Sequence, residues 1–219
     1  MKNKEVFYGL VILVLITIGA TVFIVNKFNS PKVTAGKNEL GEQEIVPNFI
    51  KERIAQQSMK QFGDNFYDSF VTDITIRPLN PCNHSACTDE SRMHRYTIRY
   101  EIEIPKDLGF QQESVYLHSW ADENGYIQKL DYLPNCNNRK FSCEFFISKD
   151  VAIDLIQKDL TESGEFITRV ILIWHSGIKE FVVEIDAKKN KEDRIGTSYI
   201  ISGNRREVVE KATFFVTHS

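Results

Sequence analysis

From Tyr96 to Ile104 the sequence alternates without a break: Tyr96, Ile98, Tyr100, Ile102 and Ile104 are apolar or aromatic, with Thr97, Arg99, Glu101 and Glu103 between them. Successive side chains leave a strand on opposite faces, so this stretch predicts a half-buried strand with one core face and one wet face. The same period predicts strands over Phe70 to Ile76, Val115 to Trp120, Tyr126 to Leu133, Phe166 to Trp174, Ile178 to Asp186 and Thr197 to Ser202. Phe141, Cys143, Phe145 and Ile147 form a further alternating set, and a last strand is expected to end at Val216. Asn124-Gly125 and His175-Ser176-Gly177 suit hairpin turns, and Gly203-Asn204 leads into the last strand. A short helix over Arg205 to Ala212 is the alternative there.

Two stretches follow a helical period instead. Pro47 suits a first helical turn, and Phe49, Ile50, Ile54 and Phe62 are spaced for one apolar face, with Gly63 as the stop. Ser148 offers an N-cap and Asp150 a first-turn acid, and Val151, Ala152, Leu155, Ile156 and Leu160 predict a second amphipathic helix ending near Gly164.

Phe70-Val71-Thr72-Asp73-Ile74-Thr75-Ile76 after the first helix and Phe166-Ile167-Thr168-Arg169-Val170-Ile171-Leu172 after the second form a weak internal repeat. Its order, helix then glycine then strand, resembles in outline the cystatin-like and PepSY-type modules, which implies a helix packed on antiparallel sheet. The Gln-x-Val-x-Gly loop of cystatins has no counterpart. The expected fold class is therefore α+β: a single N-terminal transmembrane helix, then two helices packed on antiparallel sheet in two related units, 46–140 and 141–219. An immunoglobulin-like sandwich with an inserted helix is the alternative.

The membrane helix is expected because residues 6 to 25 carry no Asp, Glu, Lys, Arg or His. As a helix they reach about 30 Å, the depth of a bilayer's hydrocarbon core. A cleaved export signal has a shorter apolar region and a small-x-small site, whereas Ile18 stands where the first small residue belongs. The reading is a single-pass signal-anchor, with the lipid bilayer as partner of residues 6–25 and residues 1–5 in the cytoplasm. Residues 26–45, with Pro31, Gly36 and Gly41, form a juxtamembrane linker, and 46–219 the extracytoplasmic domain. Lysines flank the apolar run on both sides, so the positive-inside count is nearly balanced.

Cysteines break that tie. All four lie beyond the apolar run, as two close pairs, Cys82 with Cys87 and Cys136 with Cys143, which favours local disulfides in an oxidising compartment. Asn83-His84-Ser85 is an acceptor sequon, making Asn83 a glycosylation candidate. The same loop carries the densest set of metal-ligand side chains, Cys82, His84, Cys87 and His94, with Met93 beside them. Zinc or copper there is the alternative, although the mixed order in one loop departs from the usual spacing of paired ligands.

With 27 Lys and Arg against 30 Asp and Glu, net −3, the chain has no cluster of basic charge to displace counterions from phosphates, so nucleic acid is excluded as a partner. Trp120 to Ile127 resembles the middle of a calcium loop, but Trp120 stands where the first carboxylate must be, and a hairpin turn accounts for the segment. His118 and His175 each adjoin a serine without an acid partner, and no GxSxG, HExxH, phosphate-loop or dinucleotide fingerprint occurs. The reading is a membrane-anchored extracytoplasmic binding domain with no catalysis and no cofactor of its own, its partner an envelope or membrane protein. A metal-binding enzyme or electron carrier is the competing class.

Overall fold

The computed structural model describes residues 32–36, 45–79, 94–137, 143–145 and 147–215. Strand β1 (Lys32–Ala35) is followed by helices α1 (Asn48–Phe62) and α2 (Asp64–Phe70), then β2 (Val71–Pro78), β3 (Tyr96–Glu103), β4 (Ser114–Ala121) and β5 (Ile127–Gln128). Helix α3 (Lys149–Ser163) then leads into β6 (Phe166–His175), β7 (Glu180–Lys188), β8 (Ile195–Ser202) and β9 (Glu207–Phe215). The strands form a five-stranded sheet, β1-β2-β3-β4-β5, and a four-stranded sheet, β6-β7-β8-β9. Only β1 on β2 is parallel among these pairings.

Helix α1 buries Ile50, Ile54, Ser58 and Phe62, a stripe at helical spacing, against the inner face of the first sheet. There Ile74, Ile76, Ile98, Tyr100 and Ile102 are fully buried, and the Phe62 ring meets Tyr100 edge-on at 5.2 Å. Helix α3 is capped as its sequence predicts, Ser148 Oγ accepting from the Val151 amide, and it buries Ala152, Ile156 and Leu160. Phe145 links the two halves: its ring lies 6.1 Å from Phe66 of α2 and 4.8 Å from Phe181 of β7. Both sheets thus share one apolar core.

The α+β architecture expected from the sequence is corrected on three points. The described residues hold three α-helices, not two, because α2 restarts at Asp64 directly after Gly63 ends α1. The strands divide between two sheets, one of them with a parallel pairing, and the inner face of each carries a helix, so an immunoglobulin-like sandwich does not describe them. Among the described residues no helix is long and apolar enough to cross a membrane. The span expected over residues 6–25 lies outside the described residues.

Smaller corrections follow from pairing. Part of the expected linker is strand β1, whose Val33 and Ala35 align with Ile74 and Ile76. The expected strand over Tyr126 to Leu133 shrinks to Ile127–Gln128, because Leu130–Tyr132 turns into a 3₁₀ helix whose carbonyl at Leu130 accepts from Gln61 of α1. Cys143, Phe145 and Ile147 face the core as their alternation suggests, yet they sit in a loop without a ladder partner. Phe49, Val151 and Leu155 lie beside their helices' buried stripes and are exposed. Residues 207–215 are strand, not the alternative helix.

Candidate functional site

The polar half of the β3 alternation leads to the site. Opposite the helix-covered face, β4 presents Tyr116, His118 and Trp120, aligned with Glu101, Arg99 and Thr97 of β3. Beyond them Thr75 and Arg77 of β2 align with Arg99 and Thr97. Tyr116 keeps 51% of its surface exposed and Trp120 36%, large values for aromatic side chains in the interior of a sheet. His118, Arg99 and Arg77 are also exposed.

Two stacked pairs order this surface. The Arg99 guanidinium sits 5.2 Å from the Tyr116 ring centroid, and the imidazole of His94 lies on Trp120 at 5.3 Å, 11° from parallel. Such contacts hold each partner in one orientation. The Arg77 side chain runs over Gly36, in the space that a Cβ there would fill, while the Gly36 amide donates to Ile76 O at 2.8 Å. At the other end of the face Glu101 accepts from Ser114 Oγ at 2.9 Å.

The charges are left open. Among the described residues no carboxylate lies within ion-pair distance of Arg77 or Arg99. The outer face of the second sheet behaves differently: Arg169 Nε donates to Asp186 at 2.7 Å and its terminal nitrogen pairs with Glu184. Burial raises the Glu184 carboxyl above the usual range, with Arg169 opposing. There the guanidinium sits between two carboxylates; Arg77 and Arg99 have none at that distance among the described residues.

A cleft of about 960 Å³ opens at the seam of the two halves, floored by Phe62, Phe66, Phe70 and Phe145 and rimmed by Asp64 and Asp107. Cys136 and Cys143 line it as a disulfide, so neither sulfur is available as a nucleophile or ligand. No cysteine is free among the described residues.

Of the residues singled out in the sequence, the structure pairs Cys136 with Cys143. Cys82, Asn83, His84, Cys87 and Met93 lie outside the described residues. His94, the remaining member of the metal-ligand set, stacks on Trp120, and no three His, Cys, Asp or Glu side chains among the described residues are placed to share a metal ion. In the Trp120–Ile127 segment the Asp122 carboxylate accepts from the Asn124 and Tyr126 amides, both at 2.9 Å, which makes it a turn brace. His175 Nδ1 accepts from the Ile178 amide, a turn contact, and Nε2 lies 3.8 Å from Glu210. The sequence alone gives Tyr116 and Arg77 no role and Trp120 only the wrong place in a calcium loop, although the alternation from Val115 to Trp120 already puts Tyr116, His118 and Trp120 on one face.

No protein family model, no curated protein and no solved structure matches this chain.

Proposed function

We propose that this protein is a non-catalytic binding domain working outside the cytoplasm, and that it takes its partner on the outer face of the five-stranded sheet. One observation carries the reading: Tyr116, His118 and Trp120 stand exposed on a rigid strand beside two guanidiniums with no carboxylate partner among the described residues. Aromatic and Arg side chains dominate the energetics of protein contact surfaces, and a sheet holds them in fixed relation. The extracytoplasmic side is supported by the Cys136–Cys143 bond, since stable disulfides belong to oxidising compartments. The uncharged stretch of residues 6–25 adds support as an export determinant read from sequence alone.

The test is site-specific photo-cross-linking of the full chain in living cells. A benzophenone side chain placed at Tyr116 or Trp120 is expected to give an adduct, discrete or spread in size, and the same group at Val208 or Phe215, exposed on the far edge of the other sheet, none. Equal labelling from all four positions, or none from any, would remove this face as the binding surface.

A further inference from the structure

The outer face has a direction, and that direction selects a kind of ligand. Tyr116, His118 and Trp120 follow one another at every second residue of β4, so the three rings form a row about 14 Å long. Arg99 and Arg77 stand on the next two strands, each strand about 4.8 Å further on, so the positive charge flanks one side of the row. A row of rings with charge along one side matches an extended chain of ring units bearing spaced anions, because the ring surface that His94 and Arg99 leave open attracts the C–H edge of a ligand ring while each guanidinium takes a carboxylate. Resting on the binding reading above, we propose that the occupant is a linear acidic polysaccharide lying along β4, its carboxylates turned toward Arg99 and Arg77.

Charge density separates this ligand from a single-stranded nucleic acid. A nucleic acid places a phosphate at every unit, and its binding grooves follow the backbone with continuous positive charge. Here the positive charge is confined to one end of the face, since Glu101 and Glu103 of β3 continue the same surface beyond Arg99. A polymer with sparse carboxylates can set one against each guanidinium and pass neutral units over Glu101, which stands beside Tyr116 at the end of the row. The pre-set side chains suit it as well: Arg99 is already stacked on Tyr116, and Arg77 is already laid over Gly36, so less side-chain freedom is lost on binding.

Affinity electrophoresis of the full chain tests this directly, with polygalacturonate, hyaluronate, neutral dextran or a single-stranded oligonucleotide cast in the gel. Retardation is expected with an acidic polysaccharide and not with dextran, and it should fall steeply with added salt because the charges are exposed. Arg99→Gln and Arg77→Gln should each weaken retention about two- to fivefold, in line with an exposed charge pair. Trp120→Ala should weaken it about tenfold or more, as loss of a stacked ring does, and circular dichroism of each variant should match the parent. No retardation by either acidic polysaccharide, or tighter binding of the oligonucleotide, would overturn the polysaccharide assignment. Adducts from Tyr116 and Trp120 in cells would then still uphold the face, whereas their absence would overturn the binding reading itself.

Discussion

The phenol oxygen of Tyr100 lies 3.0 Å from the hydroxyl of Ser58, with both residues fully buried between α1 and the first sheet. Ser58 spends its only proton on the Ile54 carbonyl at 2.7 Å, so Tyr100 must be the donor in the pair. Ser58→Ala would leave that phenol buried without a partner, and a loss of about 1 to 3 kcal/mol in urea unfolding is expected. Tyr100→Phe in the same chain should return most of it, because no polar group is then stranded. Additive losses in the double variant would show that the hydrogen bond is not what holds α1 on the sheet.

High pH should unfold the protein through two tyrosines. Burial, with Asp68 as the lesser cause, pushes the Tyr67 phenol up to about 12, and burial raises Tyr100 further against the Ser58 hydrogen bond. A phenol whose folded pKa is raised resists ionisation only while folded. Its contribution is therefore complete below the ordinary value of 10.0 and lost as pH rises toward about 12. The urea midpoint should fall across that window, in step with tyrosinate absorbance. A midpoint unchanged through it would contradict the burial of both rings.

The Cys136–Cys143 bond lines the cleft and joins residues with a sequence separation of 7. Loop-closure entropy for a ring of that size gives about 2 to 3 kcal/mol, so replacing both cysteines by serine should lower unfolding stability by about that amount. Asn137 Nδ2 donates to the Lys60 carbonyl at 2.7 Å, which ties the same loop to the end of α1. Local protease sensitivity near residue 137 should accordingly rise in the doubly substituted chain. Unchanged stability would mean that the loop is held by its aromatic neighbours alone.

Much of this arrangement was legible in the sequence, and the misses share a cause. Alternation specifies which side a residue faces, so β3 and β4 and their buried sides follow from the spacing of Ile98, Tyr100 and Ile102 or of Val115 and Leu117. It does not say whether a ladder partner exists. Phe145 and Ile147 face the core from a loop, and Leu130 and Leu133 from a 3₁₀ turn clamped by Gln61. Helix α2 went unread because seven residues, Asp64–Phe70, are too few to display a helical period. The candidate face was hidden for another reason: its residues lie on three strands, and only the register that aligns Arg77 with Thr97 and Thr97 with Trp120 brings them together.

The turn that follows β4 rests on a single glycine rather than on both residues of the Asn-Gly step. Gly125 alone has a positive φ, 79°, and a Cβ there would meet Ile50 of α1 at 3.3 Å. Gly125→Ala is therefore expected to cost more than the 1 kcal/mol or so usual for a backbone change in a turn, measured by urea unfolding. A cost below that would show that α1 yields easily at Ile50.

Side-chain footprinting by hydroxyl radicals tests the central claim most directly, comparing the full chain in intact cells with the same chain purified. Four aromatic residues serve within one molecule: Tyr116 and Trp120 on the candidate face, and Tyr126 and Tyr132 away from it, at 51%, 36%, 52% and 52% exposure. All four should be oxidised readily in the purified protein. In cells, Tyr116 and Trp120 should be protected while Tyr126 and Tyr132 react as before. Equal reactivity of all four in both settings, or protection confined to Tyr126 and Tyr132, would contradict the assignment of the outer sheet face as the surface on which this protein works.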